Sequence, residues 1–201
     1  PEHHSESPEA MLAHTPGLRV VMPSSPARAY GLLLAAIRDP DPVMFLEPTR
    51  MYRLFRQEVV DDGEALPLDV CFTLRGGTDL TLVSWGAMLH ETQAAADVLA
   101  AEGISAEVID VATLTPLDFP SIAESVAKTG RCVIVHEAAK TAGFGAEVAA
   151  RIAEDCLFDL LAPVERVTGY DTHIPLFRLE MKYLPSVDKI VAAARRAMAH
   201  S

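Results

Sequence analysis

Short continuous apolar runs alternate along the chain with segments of helical periodicity. The apolar runs, which are typical of strands buried on both faces of a parallel sheet, lie at residues 18–22, 43–46, 79–85, 106–111, 131–135 and 164–167. The segments with helical spacing lie at residues 8–13, 25–37, 88–102, 118–128, 145–155 and 187–198. Strand and helix in this order predict an α/β fold with right-handed crossovers and a mostly parallel sheet flanked by helices.

The pattern also predicts how the chain divides. Periodicity fails between residues 47 and 77, where Pro48, Gly63, Pro67 and Gly76-Gly77 interrupt a mixed polar and apolar stretch. We therefore expect a first part at residues 1–50, a linker at 51–78 and a second α/β unit at 79–201. A chain of 201 residues can bury one sizeable core or two modest ones.

Local signals give the helices their ends and faces. Ser25 followed by Pro26 is typical of a helix start, because the serine side chain can accept a backbone N–H and proline tolerates the first turn. In the helix at residues 88–102, helical spacing predicts that Ala95, Val98 and Leu99 share the buried face.

Composition excludes several classes of protein. The formal net charge of −11 and the scattered lysines and arginines oppose sequence-independent binding to nucleic acid, and they favour a positively charged protein partner. No apolar run approaches the roughly 20 residues that a membrane span needs. The three cysteines have wide, unpatterned spacing, which predicts reduced core thiols, and the opening residues lack signal-peptide features. We therefore expect neither a membrane protein nor an exported one.

Two segments have spacing that is found at anion-binding sites. His3 and His4 precede a predicted helix N-terminus, where an imidazole could meet an anion, although a terminal histidine pair is also typical of an exposed tag-like feature. Gly143 and Gly145 open a helix after a strand, but Val148 stands where the dinucleotide pattern needs a third glycine. Close packing of the loop is the favoured interpretation.

A hydrolase is not expected from the nucleophiles present. Ser84, His90, His136 and Asp110 could be imagined as a triad, yet Ser84 does not lie in a Gly-x-Ser-x-Gly elbow. Glu137 follows His136 at the carboxyl end of a strand, where open α/β sheets place ligands, but such residues also hold loops in place.

A turn at residues 39–41 suits either a cation or simple turn chemistry. Asp39-Pro40-Asp41 combines two carboxylates with carbonyl groups freed at a helix end, which suits a hard cation. Turn chemistry that stops a helix explains these residues equally well, so the residue types alone do not establish a metal site.

Several strings resemble one known family across the whole chain. HSESPEA at residues 4–10 and AHTPGLRVV at residues 13–21 resemble a segment of the β subunits of pyruvate, branched-chain 2-oxo acid and acetoin dehydrogenases. The similarity continues through RDPDP at 38–42, FLEP at 45–48, TLVSWG at 81–86, EVID at 107–110, HEA at 136–138, GFGAE at 143–147 and GYDT at 169–172.

This resemblance implies a fold, a cofactor and partners. Residues 1–50 would be the second half of a transketolase-like pyrimidine-binding domain, and the rest a transketolase C-terminal domain. The family binds thiamine diphosphate and Mg²⁺ between the β subunit and an α subunit, usually as an α2β2 assembly. It decarboxylates a 2-oxo acid and transfers the acyl group to a lipoyl acyltransferase, whose small basic subunit-binding domain docks on the β subunits.

The resemblance also assigns roles to residues. His4 matches the active-site histidine, which would orient the substrate carboxylate or the incoming lipoyl group. Ala36, Asp39 and Asp41 match positions whose carbonyl groups hold a structural K⁺ in some members. No cofactor-binding residue is assigned in this chain, because the glutamate that activates the cofactor is expected upstream of Pro1.

The departures from the family pattern lead to further expectations. Without that glutamate the chain is expected to be a fragment, the ordered portion of a longer subunit or one piece of a split subunit, and to have no turnover alone. Glu6 stands where glutamine is usual, which could alter contacts near the site. His173 stands where proline is usual, which should change only a loop.

Two other functions stay open at this point. A single-chain transketolase-like enzyme, such as a 1-deoxyxylulose-phosphate synthase, shares the same final two domains, and a non-catalytic assembly module would also lack the activating glutamate. The expected location is the cytoplasm in a bacterium or the mitochondrial matrix in a eukaryote. The sequence does not name the 2-oxo acid.

Overall fold

The α/β alternation is confirmed by a computed structural model that describes residues 5–200. Its strands are β1 (Arg19–Val21), β2 (Val43–Phe45), β3 (Phe72–Arg75), β4 (Leu80–Ser84), β5 (Ala106–Asp110), β6 (Thr113–Thr115), β7 (Cys132–Ala139) and β8 (Glu165–Gly169). Its helices are α1 (Glu9–Ala13), α2 (Pro26–Arg38), α3 (Met88–Ala101), α4 (Phe119–Thr129), α5 (Phe144–Asp155), α6 (Glu180–Tyr183) and α7 (Val187–Met198). Two short 3-10 helices lie at Thr49–Arg53 and Phe177–Leu179.

The larger sheet has five strands in the order β3-β5-β4-β7-β8. Four of them are parallel, and β3 pairs antiparallel with β5 at one edge. Every residue of the central strand β4 is buried, as expected for a strand covered on both faces. Leu82 belongs to the core beneath α3 and α7, whereas its neighbour Val83 belongs to the core beneath α4 and α5. This alternation follows from the two-residue period of a strand.

A smaller sheet joins the first part of the chain to the second. Its order is β2-β1-β6, with β1 parallel to β2 and antiparallel to β6. Strand β6 follows β5 of the larger sheet after a turn at Ala112, whose φ of +52° lies in the left-handed region. The N–H of Met22 donates to the Ala112 carbonyl at 2.8 Å and fixes this turn against the first part of the chain.

Several local predictions are confirmed. The Ser25 hydroxyl oxygen accepts the Arg28 N–H at 3.2 Å, and α2 starts at Pro26. Cys71, Cys132 and Cys156 are all free thiols. Within residues 5–200, no helix has both the length and the apolar character needed to cross a membrane.

Other local predictions are wrong or incomplete. Ala95 and Leu99 are buried, but Val98 is 41% exposed. Three residues along a helix correspond to 300°, so Val98 lies 60° to one side of Ala95, at the margin of the buried face. Strand β3 lies in the stretch at residues 47–77 where no strand was predicted, and β6 was also missed. Both are short strands without a continuous apolar run. The division at residues 50 and 78 stays a prediction.

Ala142 provides a test of backbone strain in the loop before α5. Its φ is +54°, a conformation that costs a residue with a Cβ about 1 kcal/mol or more relative to glycine. We expect Ala142→Gly to raise the free energy of unfolding by about 1 kcal/mol, measured by urea denaturation. Ala100→Gly, at an exposed position inside α3, is the matched control and should lower it by about 1 kcal/mol. A loss of stability in Ala142→Gly would contradict the strained conformation.

Candidate active site at the junction of the two sheets

A buried aromatic stack lies where α1 meets the carboxyl edge of the larger sheet. Trp85 directly follows β4, and its indole stacks on the His136 ring with 5.2 Å between centroids. Phe144, at the start of α5, meets Trp85 edge-on at 5.7 Å. Together they build a rigid wall at the edge of the sheet where open α/β folds place ligands.

The two glycines before and within α5 allow this stack to form. A Cβ on Gly143 would lie 2.7 Å from Cε1 of His136, and a Cβ on Gly145 would lie 2.6 Å from its Cδ2. Both approaches are far too close for any residue with a side chain. The loop is therefore built to pack on an imidazole, which agrees with the interpretation favoured from the sequence over phosphate binding.

His136 is neutral at physiological pH. Burial lowers the pKa of His136 to about 4, and the positive charge of Arg166 acts in the same direction. Neither ring nitrogen makes a hydrogen bond of ordinary geometry among residues 5–200, although the nearby Ala138 backbone opposes the lowering of the pKa. The ring therefore acts here as an apolar packing surface for Trp85 and the glycine loop.

A group of carboxyl side chains lies beside the stack. Glu9 is 2% exposed, although it sits in the first turn of α1, and it is directed into the junction with Trp85. Burial raises the pKa of Glu9, while its own backbone N–H and the nearby Trp85 indole act in the opposite direction. Burial raises the pKa of Glu137 to about 7, and the charges of Glu9 and Glu91 add to the shift while Arg50 opposes it.

Arg50 belongs to the 3-10 helix at Thr49–Arg53 and interacts with several of these carboxyl side chains. Its guanidinium donates a hydrogen bond to Glu91 on α3, and the interaction raises the pKa of Arg50. Glu137 and Glu180 contribute to the same shift through their charge. Arg50 is thus bonded to Glu91 and lies close enough to Glu137 and Glu180 to be influenced by their charges.

Trp85, Glu9, Arg50, Glu137 and Glu180 line a pocket of about 460 Å³ between α1, the carboxyl ends of β4 and β7, and the segment around α6, and Glu91 lies behind Arg50 outside the lining. Glu137, for which both a catalytic and a loop-holding role were considered, lies on this pocket. The sequence analysis missed Glu9, Arg50 and Glu91 as site residues. A signal existed for Glu91, because it shares the helical face of Ala95 and Leu99 and is therefore an acid at a core position.

The residues considered for a hydrolytic triad are not brought together as one. The Ser84 hydroxyl donates to the carbonyl of Val135 at 3.1 Å. His90 is exposed on α3 and stacks with Phe55. Asp110 accepts a hydrogen bond from the Ser24 hydroxyl instead. Each group is used in a separate structural contact, as the absence of a nucleophile elbow predicts.

Comparison with known proteins identifies the second part of the chain. A family model described as the transketolase C-terminal domain matches residues 71–190. The chain belongs to the transketolase C-terminal domain family. A model of the transketolase pyrimidine-binding domain matches residues 1–54. The first part of the chain therefore resembles a transketolase pyrimidine-binding domain, as its residues suggested.

Relatives of known name match both parts together. The chain is 46% identical over 198 residues to a pyruvate dehydrogenase E1 component subunit beta of Bacillus subtilis, covering 98% of this chain and 61% of the relative. It is 49% identical to a mitochondrial 2-oxoisovalerate dehydrogenase subunit beta 2 of Arabidopsis thaliana, covering 96% of this chain and 54% of the relative. The chain therefore spans between about half and three fifths of the length of these relatives.

A solved structure shares the fold. It is a chain described as a split gene transketolase in an inactive beta4 tetramer, and it superposes with a TM-score of 0.78 at 28% identity. The superposition covers 95% of this chain and 60% of that one. Both transketolase-like parts therefore keep their shared arrangement in a second protein.

The residues that the resemblance assigned have different outcomes. His4 lies outside the described residues. Glu6 is exposed and lies on the pocket of about 460 Å³, so this departure from the family pattern falls beside the site. His173 is exposed in the irregular segment between β8 and the second 3-10 helix of the transketolase C-terminal domain.

In the turn expected to hold K⁺, the Asp39 carboxylate already has partners within the protein. Asp39 pairs with Arg19 at 3.0 Å and accepts the Asp41 N–H at 2.9 Å, which is the turn chemistry considered from the sequence. Ala36 lies in the last turn of α2, where carbonyl groups have no intrahelical partner and could face a cation. Among residues 5–200, no group of three or more His, Cys, Asp or Glu side chains could hold a metal ion. The K⁺ site formed by carbonyl groups stays a prediction.

The fit between Gly145 and His136 can be tested by adding one methyl group. We expect Gly145→Ala to lower the free energy of unfolding by about 2 kcal/mol, because the added Cβ overlaps the imidazole and approaches Ile134 at 3.1 Å. Gly76→Ala is the matched control, since its Cβ would meet nothing within 4 Å, and it should change stability by less than about 0.5 kcal/mol. Equal stabilities in urea denaturation would show that the loop is not packed this way.

The raised pKa of the half-buried Glu137 should make stability depend on pH. Its pKa in the folded protein, about 7, lies above the ordinary value of 4.5, so its favourable contribution is complete below about pH 4.5 and is lost as the pH rises towards 7. Relative to Glu137→Gln, the wild type should lose about 3 kcal/mol of stability between pH 4.5 and pH 8. Denaturation of both proteins at the two pH values measures this difference. The exposed control Glu154→Gln should show no such change, and a flat difference for Glu137 would refute the burial of its charge.

Proposed function

We propose that the chain is a β-subunit portion of the first component of a 2-oxo acid dehydrogenase complex. This component oxidatively decarboxylates pyruvate or a branched-chain 2-oxo acid and passes the acyl group to a lipoyl acyltransferase. The proposal is carried by 42–49% identity, over 96–99% of this chain, to proteins named as β subunits of pyruvate and 2-oxoisovalerate dehydrogenases.

Thiamine diphosphate is the cofactor that this proposal implies, shared with an α subunit. The match of residues 1–54 to a pyrimidine-binding domain supports it. When bound, the cofactor supplies the carbanion chemistry for decarboxylation, and the protein supplies position and shielding. Mg²⁺ is proposed with it, shared with the α subunit and held mostly outside this chain, and we assign no step to that ion.

Helix α1 is fixed against the second part of the chain. Glu9 anchors the first turn of α1 in the junction, and Ala10 and Leu12 pack against the core that contains Trp85. Residues 5–8, which lead into α1, lie on the pocket of about 460 Å³. On this proposal His4 is a catalytic residue that orients the substrate carboxylate or the lipoyl group.

The proposed partners are the α subunit, a second β subunit and the subunit-binding domain of the acyltransferase. The net charge of −11 suits the basic domain expected of the acyltransferase. Consecutive apolar side chains after β8 are exposed, including Phe177 at 85%, which is typical of a surface covered by another chain. The relatives include bacterial and mitochondrial proteins, and we propose the cytoplasm or the mitochondrial matrix as the location.

A second candidate is one half of a transketolase that is divided between two chains. The structural similarity to a split gene transketolase supports it. That protein is 28% identical to this chain, whereas the dehydrogenase β subunits reach 49%. Sequence identity therefore favours the dehydrogenase, and a substrate panel of 2-oxo acids and sugar phosphates separates the two.

Reconstitution tests the proposed function and the role of His4. The chain combined with an α subunit of this family and thiamine diphosphate should release CO2 from a 2-oxo acid, and the chain alone should not. We expect His4→Ala to lower kcat/KM for reductive acylation about 100-fold or more, because a lost orienting contact misplaces the reacting groups. His200→Ala, at an exposed position near the other end of the chain, is the control and should leave kcat/KM unchanged.

Two outcomes would contradict this function. Turnover of a 2-oxo acid by the chain without an α subunit would contradict the shared cleft. Activity confined to sugar phosphates would support the divided transketolase instead.

A further inference from the structure

One wall of the pocket of about 460 Å³ is formed by a segment between β8 and α7. Its residues 172–181, here called the strap, include the second 3-10 helix and the start of α6. Ile174 and Glu180 of the strap line this pocket, and residues 172–174 line a neighbouring cavity of about 250 Å³. Residues 5–7 line both cavities as well, so the strap borders the space beside the start of α1.

The strap is held at both ends. At its start, the N–H and the hydroxyl of Thr141 donate to the two carboxylate oxygens of Asp171 at 2.9 and 2.7 Å. At its other end, Tyr183 is buried, and its ring meets the Tyr170 ring edge-on at 6.1 Å. The ammonium group of Lys189 on α7 lies over the same Tyr170 ring at 4.8 Å. These contacts provide fixed points for the backbone between them.

Between the fixed points the strap has little support. None of its residues is buried, and Leu176 and Phe177 are 70% and 85% exposed. Within residues 5–200 its hydrogen bonds are local, such as the bond from the Leu179 N–H to the Leu176 carbonyl at 2.8 Å. The second 3-10 helix and α6 pack mainly on each other. A segment with few buried contacts and no long-range hydrogen bonds opens at a low free-energy cost.

Glu180 gives the strap an electrostatic attraction towards the pocket interior. Glu180 and Arg50 line the same pocket. Arg50 donates a hydrogen bond to Glu91 and makes none with Glu180 in the described part of the chain. The charge of Glu180 nevertheless contributes to the raised pKa of Arg50, so the two groups attract each other at a distance. Since a guanidinium has five N–H donors, a small inward movement of the strap lets Arg50 bond to Glu180 as well.

We propose that the strap is a lid that closes over the pocket, with the pairing of Glu180 and Arg50 as its latch. Closure excludes water from the pocket, and opening admits and releases a ligand, which is a common role of loops with low local stability. A partner chain that covers Leu176 and Phe177 would hold the strap closed, so the free chain is the form in which opening is measured. The proposal concerns access to the pocket and does not depend on the proposed function.

Trp85 allows a direct test, because it is the only tryptophan of the chain and lies on the pocket wall with 2% exposure. Quenching of its fluorescence by acrylamide reports how often the pocket is open. We expect Glu180→Gln to raise the Stern–Volmer constant of the purified chain about 3-fold, as expected for the loss of one partly exposed ion pair. Glu180→Asp keeps the charge and should stay close to the wild type. Arg178→Gln, at an exposed strap position outside the pocket lining, is the matched control and should leave the constant unchanged.

Salt provides a second readout that a purely structural role of Glu180 would not affect. Raising the ionic strength from about 0.05 M to about 1 M at constant pH screens the attraction between Glu180 and Arg50. Quenching of Trp85 should therefore increase with salt in the wild type and much less in Glu180→Gln. Asp171→Ala, which removes the anchor to Thr141, should raise quenching at both ionic strengths.

Three results would overturn the proposal. Equal quenching in the wild type and in Glu180→Gln would show that the strap has no latch. An equal rise in Arg178→Gln would show that the strap responds to any change of charge. Quenching of the wild type that does not depend on salt would remove the role of the attraction between Glu180 and Arg50.

Discussion

The pairing of β1 with β6 holds the molecule together at its centre. Val20 and Val21 of β1 are completely buried, so their backbone N–H and C=O groups must find partners inside the protein. Strand β2 provides them on one side, and β6 provides them on the other. Strand β6 comes from the second part of the chain, directly after β5 of the larger sheet. The two parts are therefore joined by main-chain hydrogen bonds as well as by side-chain packing.

This pairing determines the environment of the junction. It brings α1 against the carboxyl edge of the larger sheet, where Trp85 and the glycine loop close over His136. The contacts are aromatic and close, so water is excluded from the groups around them. Acids that would be ordinary on a surface, above all Glu9 and Glu137, become difficult to ionise there. The unusual electrostatics of the site are thus a product of its packing.

The amino-acid pattern predicts the parts of the fold that rest on continuous signals. The apolar strands β4, β5 and β7 and the amphipathic helix α7 were all predicted, because a buried strand and a one-sided helix each leave a periodic trace. Strands β3 and β6 leave none, since their positions depend on pairing with residues distant in sequence. The same distinction between local and long-range signals applies to the candidate site. The close glycine loop was recognisable locally, whereas the meeting of Glu9, Arg50 and Glu137 depends on three elements that only the tertiary fold brings together.

The shared smaller sheet also affects how the protein can be divided. The two family matches end at residue 54 and begin at residue 71, which suggests a cut between two independent modules. Such a cut would leave β6 without β1 and would expose the side of Trp85 that α1 covers. A piece produced in this way would have an open strand edge beside a newly wetted apolar surface, the combination that promotes aggregation. The boundaries of sequence families therefore do not mark the cooperative folding unit of this molecule, which extends across both of them.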